Sequence, residues 1–517
     1  MKRDIALRLR REPLFFGCGA AVIVVSSALY LLSAQRDVAF WDTGEMQTVP
    51  WIFGIAHPTG FPAFVLLGWC FAHLVPFGSV AWRLGAFSAL ATGIATLALY
   101  TAAARITRVP ALACTIALLF ATSESVWEHA TRAEVHALAL CFSTVAFAAL
   151  YGWSRSGSSA RLLAGALAAG LALATHPVAL WTLPGLGVLA LAERRPSRRL
   201  AALAVMSCII AALLPYTYLP LRSAAVFAAR LDPTLSLGFD PGMPFWDYAH
   251  PAVAANFWWL VSGQQFDKHD GFQAYVEPWR LVESARAFVA FEWHEIGPFA
   301  LAALLGLVVM ARRDRALTVA IVLFGFLGVP FALGYSLEAD KVRYLLTAAW
   351  TVALLSAVGT AWIATAVAQH TSLREGRAVA ALASIASLFI IFNAYRNRNI
   401  LAINRDRVAR TLVDDVTQHS SEDAIVVAPW IYATPLAYAA YVEHSFGKRI
   451  VVATGAEAIS ARIVNWSRLR CVLVVSDRPE VRIAGVTLSA PSTTRAPYVF
   501  AVAQPGSSSG DCGRRGR

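Results

Sequence analysis

The run Phe40-Trp41-Asp42-Thr43-Gly44-Glu45 sets two carboxylates three residues apart, just after the first long apolar stretch of a 517-residue chain. On one helical turn Asp42 and Glu45 share a face. A carboxylate pair at a water–membrane boundary can take a proton from a hydroxyl or hold a cation. The plain alternative is a polar helix start, because Asp42-Thr43-Gly44-Glu45 also carries helix-capping chemistry. A second group of unusual residues follows in Gly54-Ile55-Ala56-His57-Pro58-Thr59-Gly60-Phe61-Pro62. Pro and Gly bend the backbone and return the loop toward the membrane. His57 could donate to a phosphate or a sugar, or serve only as a hydrogen-bonded loop histidine. An acidic pair followed by such a loop suggests an active site at the outer face of a membrane enzyme.

Further candidates sit at the ends of apolar runs. Thr131-Arg132-Ala133-Glu134-Val135-His136 places Glu134 and His136 at the outer end of one run. Glu134 could contact a sugar or an acceptor, or pair with Arg132. His176, in Ala174-Thr175-His176-Pro177, either caps a hairpin or lines the site. Arg83, Arg222, Lys341 and Arg343 are basic residues on the outer side, against the usual trend. A guanidinium fork matches phosphate oxygens. Headgroup anchoring, or pairing of the last two with Glu338 and Asp340, is the alternative.

The elements that position these residues are membrane helices. The chain is 57% hydrophobic and 15% charged, which leaves too little polar surface for a soluble protein of its length. Its apolar runs approach or exceed the roughly 18–20 residues that cross a bilayer. The short alternating strands of a membrane barrel are not in evidence. The net charge of +12 comes largely from basic loops between apolar runs, so it reads as topology rather than nucleic-acid binding. Those loops, above all Glu193-Arg194-Arg195-Pro196-Ser197-Arg198-Arg199, predict about eleven spans with the N-terminus in the cytoplasm and the C-terminal part outside. The spans fall near 14–34, 80–104, 109–125, 137–153, 161–175, 178–192, 200–220, 296–311, 316–335, 345–368 and 378–395. Residues 61–75 are apolar but short and contain His73, and a crossing there would turn Arg105 and Arg108 outward, so they read as a helix along the outer interface or entering it partway. Outer loops take up 35–79 and 222–295; the second is rich in Trp and suits short surface helices.

The fold class is therefore an all-α polytopic membrane protein over 1–396, with a small extracytoplasmic α/β domain over 397–505 and a disordered tail from 506 to 517. The α/β reading rests on short apolar runs at 424–428, 449–453 and 471–475 with helical stretches between them. Cys18, Cys70, Cys114, Cys141 and Cys208 lie in apolar segments and read as small buried side chains. Cys471 and Cys512 could pair. No His/Cys cluster suggests a structural metal.

Taken together, Trp41-Asp42-Thr43-Gly44-Glu45, the Gly54 to Pro62 loop, Arg132-Ala133-Glu134-Val135-His136, Leu171-Ala172-Leu173-Ala174-Thr175-His176-Pro177 and Pro215-Tyr216-Thr217-Tyr218-Leu219-Pro220-Leu221-Arg222 resemble the bacterial protein O-mannosyltransferase-like membrane family. Phe245-Trp246-Asp247 and the Trp258 to Phe266 stretch fit it too, and the likeness covers about 14 to 350. The resemblance implies a glycosyltransferase of GT-C architecture in the inner (plasma) membrane, with its catalytic acid in the first outer loop. The implied partners are a polyprenyl-phosphate-linked sugar donor, with mannose the sugar suggested, a protein or glycan acceptor, and the lipid bilayer; nucleic acid is not expected. Asp42 would act as general base, Glu45 as supporting acid, and His57, Arg83, Glu134, His136, His176, Arg222, Lys341 and Arg343 would bind substrate, with a basic residue such as Arg222 or Arg343 on the leaving phosphate. No cofactor is expected. Asp42 and Glu45 could hold a divalent cation, but two carboxylates are a thin ligand set. A transporter or flippase is the alternative class, disfavoured because the ionisable residues sit at span ends rather than at mid-span.

Overall fold

The computed structural model of the chain describes residues 2–266, 268–335, 341–492 and 495–503, with 2–11 as backbone alone. It forms two compact units. One comprises Met1–Ala34, Ser88–Tyr216 and Phe266–Ala402; the other comprises Gln35–Phe87, Thr217–Gln265 and Ile403–Arg517.

The first unit is helical throughout. The expected spans within it fall on helical segments, but some are broken: 109–125 falls on Pro110–Ala121 and Glu124–Ala130, bent by 68°, and the count is lower than the eleven expected. Among the described residues of the whole chain, seven helical segments are long and apolar enough to cross a membrane, or up to nine if each of two bent pairs is one span. The regions expected at 161–175 and 178–192 are shorter helical pieces, Ser159–Thr175 and Pro177–Leu191. Helix starts follow local chemistry. Pro110 and Pro278 open helices at positions where a missing N–H costs nothing. Asp314 caps Arg315–Phe326 by accepting from the Leu317 N–H at 2.9 Å. The core is a continuous apolar cluster around Trp350, which is fully buried and donates its indole N–H to the Ala95 carbonyl at 3.0 Å.

The stretch expected as a loop with short helices holds a longer element. Pro278–Ile296 is a 19-residue helix that turns by 115° into Phe299–Arg313. Its Phe288 and Phe291 pack against the core, and Gly297, at φ 58°, ends it. Its many charged and Trp residues mask this helical period in the sequence.

The second unit contains the sheet. Strands β1 (Ile425–Ala428), β2 (Ile450–Ala453), β3 (Val472–Ser476) and β4 (Tyr498–Ala501) lie in the order β2-β1-β3-β4. The first three are parallel and match the three apolar runs; β4 is antiparallel to β3 and was not expected. The helix Val408–Gln418 precedes β1 and buries Ala409, Leu412, Val413 and Val416 on one face. Arg410 on this helix joins Asp37, at 2.6 Å, to Glu443, also at 2.6 Å. Cys471 is disulfide-bonded, while Cys512 and the 506–517 tail lie outside the described residues. Of the five apolar-segment cysteines expected to be buried, Cys141 is; Cys18, Cys114 and Cys208 are partly exposed and Cys70 is exposed.

Candidate active site

In the second unit the acidic pair lies on the helix Trp41–Ile52. Asp42 is in its first turn, where the helix dipole favours a carboxylate, and is half-buried. The helix start is Phe40 and has no side-chain cap, so Asp42 is not spent on capping. Glu45, one turn on, is completely buried. One of its oxygens accepts the His57 backbone N–H at 2.9 Å, and the other meets the His57 ring at Nδ1. Burial pushes the Glu45 carboxyl upward; the His57 ring and N–H oppose this without cancelling it, and Asp42 adds to the rise. The motif therefore divides into an accessible carboxylate and a buried one that fixes the His57 loop.

The glycines of the motif answer to packing. A Cβ at Gly44 would lie 2.2 Å from the Ala39 carbonyl oxygen and 2.9 Å from Thr434 Cβ, on the helix Trp430–Tyr441 that packs against Trp41–Ile52. A Cβ at Gly54 would lie 2.0 Å from the Phe245 carbonyl oxygen, where Ile55 and Phe245 form an antiparallel bridge. This bridge carries the 245–250 segment to the acidic pair. Tyr248 is pushed up to about 12 by burial and by the charges of Glu45 and Asp42. The Trp430 indole N–H points at Asp42 Oδ1 from 3.5 Å, and its ring stacks on Phe245 at 5.5 Å. Trp430 and Tyr248 are neighbours of Asp42 that sequence reasoning missed.

The basic residues of this unit hold backbone. Arg222 donates to the Phe53 carbonyl at 2.6 Å and the Ile52 carbonyl at 3.1 Å, at the C-terminal end of the Asp42 helix. Arg83 donates to Phe77 and Gly78 carbonyls at 3.2 Å and to Ala72 at 2.9 Å, closing the end of the helix Pro62–Leu74 expected at 61–75. Tyr218 donates to the Gly54 carbonyl at 2.7 Å.

In the first unit a separate group forms around Glu134. Glu134 caps the helix Val135–Ser156, accepting the His136 N–H at 3.2 Å and the His136 ring Nδ1 at 2.7 Å. Arg132 stands 3.6 Å from its other oxygen, as the pairing alternative expected, and also binds Glu128 at 3.0 Å. Burial raises the Glu134 carboxyl, but His136, Arg132 and Arg343 outweigh burial and hold it well below its usual value. His176 caps the turn after its helix. Its Nδ1 accepts the Val178 N–H at 3.0 Å, and its ring lies 4.2 Å from that of His136. Tyr344 closes the group, 4.9 Å from His136, with Arg343 over its ring at 5.5 Å. With Nδ1–H donated to Glu134, His136 Nε2 is a buried acceptor with no hydrogen-bond partner among the described residues. Lys341 donates to the Leu333 carbonyl at 3.1 Å. Glu338 and Asp340 lie outside the described residues.

Comparison with known proteins agrees with these motifs. Residues 42–199 match the family model for the protein O-mannosyl-transferase TMEM260 N-terminal domain, a stretch that begins at Asp42 and takes in Glu45, His57, Arg83, Glu134, His136 and His176. The chain is similar to the protein O-mannosyl-transferase TMEM260 of Mus musculus, 30% identical over 211 residues, which are 39% of this chain and 30% of that protein. It is also similar to the protein O-mannosyl-transferase tmem260 of Dictyostelium discoideum, 29% identical over 108 residues, 19% of this chain and 13% of that protein. The chain thus spans less than a third of the length of these curated relatives. Its fold is like that in the crystal structure of ArnT from Cupriavidus metallidurans bound to undecaprenyl phosphate, with a TM-score of 0.59 at 12% identity over 94% of this chain and 98% of that one. The fold is of the GT-C type, the resemblance to membrane O-mannosyltransferases is upheld, and the chain is a multi-pass membrane protein.

Proposed function

We propose that this chain is a membrane glycosyltransferase that moves a sugar, mannose the first choice, from a polyprenyl-phosphate carrier to an acceptor hydroxyl. Protein Ser or Thr is the favoured acceptor, the outer face of the inner membrane the place, and inversion the stereochemistry. The matched relatives are O-mannosyl-transferases by name, and a protein of like fold was crystallised with undecaprenyl phosphate.

The observation that carries the reading is the division of labour between Asp42 and Glu45. Glu45 is sealed in and engaged by His57; Asp42, one turn earlier on the same helix, is only half-buried. Asp42 takes the proton of the acceptor hydroxyl as its oxygen bonds to the anomeric carbon. The bond from that carbon to the phosphate oxygen breaks on the opposite face, and polyprenyl phosphate leaves. A base so placed contributes about 10²–10⁴-fold. Arg222 and Arg83, in the same unit as Asp42, donate to backbone carbonyls and hold the loop and helix ends there.

The reading is tested by supplying the purified protein with polyprenyl-phosphate sugars and with peptide, glycan or lipid acceptors. Transfer to peptide hydroxyls is the expected result. Transfer to a glycan or lipid alone moves the acceptor class, and substrate flux across liposomes without any transfer overturns the enzyme reading.

A further inference from the structure

A second constellation lies in the first unit, at the other end of the helix that Glu134 caps. Arg155, in the last turn of Val135–Ser156, is about 30 Å along that helix from His136. Around it opens a cavity of about 590 Å³, within the range of ligand sites. Its rim is basic. Arg105 and Arg108 come from the end of one span, Arg155 and Arg161 from the turn between two helices, and Arg313 from the end of another. Against these five cations the cavity presents two carboxylates, Asp314 and Glu375.

Local pairing does not account for this charge. Arg155 is satisfied by Asp314 at 2.5 Å and Glu193 at 3.3 Å, and Arg161 by Gly152 and Ser156. The guanidinium groups of Arg105, Arg108 and Arg313 make no hydrogen bond or ion pair with any described residue. Three guanidinium groups from two helix ends that line one hollow repel one another unless an anion sits among them. The deeper wall is apolar, with Leu317, Val358 and Trp362, and Trp362 is 40% exposed, as an indole at a headgroup boundary would be. Basic span ends mark the cytoplasmic side.

We propose that this cavity is a binding site for the phosphate of an anionic phospholipid in the inner leaflet. The unpaired arginines hold the phosphate, and the apolar wall beside Trp362 takes the start of the acyl chains. A basic pocket between spans on the cytoplasmic side has the chemistry for such a headgroup. The site is separate from the Asp42 and Glu134 groups and stands whether or not the transferase reading does.

The test is retention of phosphatidylglycerol by the full chain in phosphatidylcholine nanodiscs, followed by native mass spectrometry and thermal unfolding. The wild type retains phosphatidylglycerol and is stabilised by it. The triple variant Arg105→Gln/Arg108→Gln/Arg313→Gln loses affinity by at least about tenfold. Arg195→Gln/Arg198→Gln/Arg199→Gln, which removes equal charge from a neighbouring basic loop, keeps it. Should the first triple variant fail to fold, Arg105→Lys/Arg108→Lys/Arg313→Lys keeps the charge but loses the forks, and a weakened retention there supports the site. Equal losses from both glutamine triples overturn the proposal, as does undiminished retention by the cavity variants. Inorganic phosphate that stabilises the wild type and displaces the lipid overturns the lipid assignment in favour of a soluble phosphate.

Discussion

Glu45 and His57 hold each other twice: the backbone N–H of His57 donates to one carboxylate oxygen and its ring Nδ1 meets the other. The pair stitches the Asp42 helix to the His-Pro loop inside a fully buried environment. Removing one partner strands the other, at a cost of about 1–3 kcal/mol. Glu45→Ala is therefore expected to lower the thermal unfolding midpoint and to abolish transfer, while Glu45→Gln, which keeps an acceptor for the N–H, lowers the midpoint less. Midpoints of the two variants in one detergent check this; equal midpoints for Glu45→Ala and wild type contradict it.

Gly44 is expected to tolerate no side chain. The nearest obstacle to a Cβ is the Ala39 carbonyl, which is backbone, so no rotamer change relieves it. Gly44→Ala is expected to destabilise by about 1–3 kcal/mol. Thr434→Ala, which removes the hydroxyl at 2.9 Å but keeps the Cβ at 2.9 Å and leaves the Ala39 carbonyl in place, recovers less than half of that loss in the double variant. Unfolding of the two single variants and the double measures the coupling.

Much of this was open in the sequence. Asp42, Glu45 and His57 lie within sixteen residues, so local spacing could bring them together. The three parallel strands declared themselves as apolar runs with turn residues at their ends. Trp430 could not be found this way, because it reaches Asp42 from 388 residues along the chain. The His136–His176 contact joins two helix ends, and nothing local to either histidine encodes the pairing. For Arg222 and Arg83 the sequence shows the charge but not the backbone carbonyls to which they donate. Strand β4 has four residues and follows a Pro-containing loop, too short for a period to show.

Arg222 gives a prediction that separates its two expected roles. If it serves the end of the Asp42 helix, Arg222→Ala lowers the unfolding midpoint, by about 1.5–3 kcal/mol for charged hydrogen bonds, and leaves the KM for the lipid-linked donor within about twofold once folded. Steady-state kinetics beside unfolding measures both. A large rise in KM at an unchanged midpoint assigns Arg222 to the phosphate instead.

Glu134 predicts a pH dependence. Its partners hold the folded-state carboxyl well below the ordinary value of 4.5, despite burial. The folded protein thus binds that proton more weakly than the unfolded chain, so the carboxylate adds stability above about pH 4.5 that is lost as pH falls toward the folded value. The stability difference between wild type and Glu134→Gln is expected to be widest near neutral pH and to narrow on acidification below 4.5. A difference that stays constant across that range contradicts the ionic account.

The most direct test of the central claim compares wild type with Asp42→Asn for sugar transfer from polyprenyl-phosphate mannose to a Ser/Thr peptide. The asparagine keeps the shape and loses the base. The account predicts a fall in kcat of about 10²–10⁴-fold with an unchanged unfolding midpoint. Transfer by Asp42→Asn at the wild-type rate contradicts it.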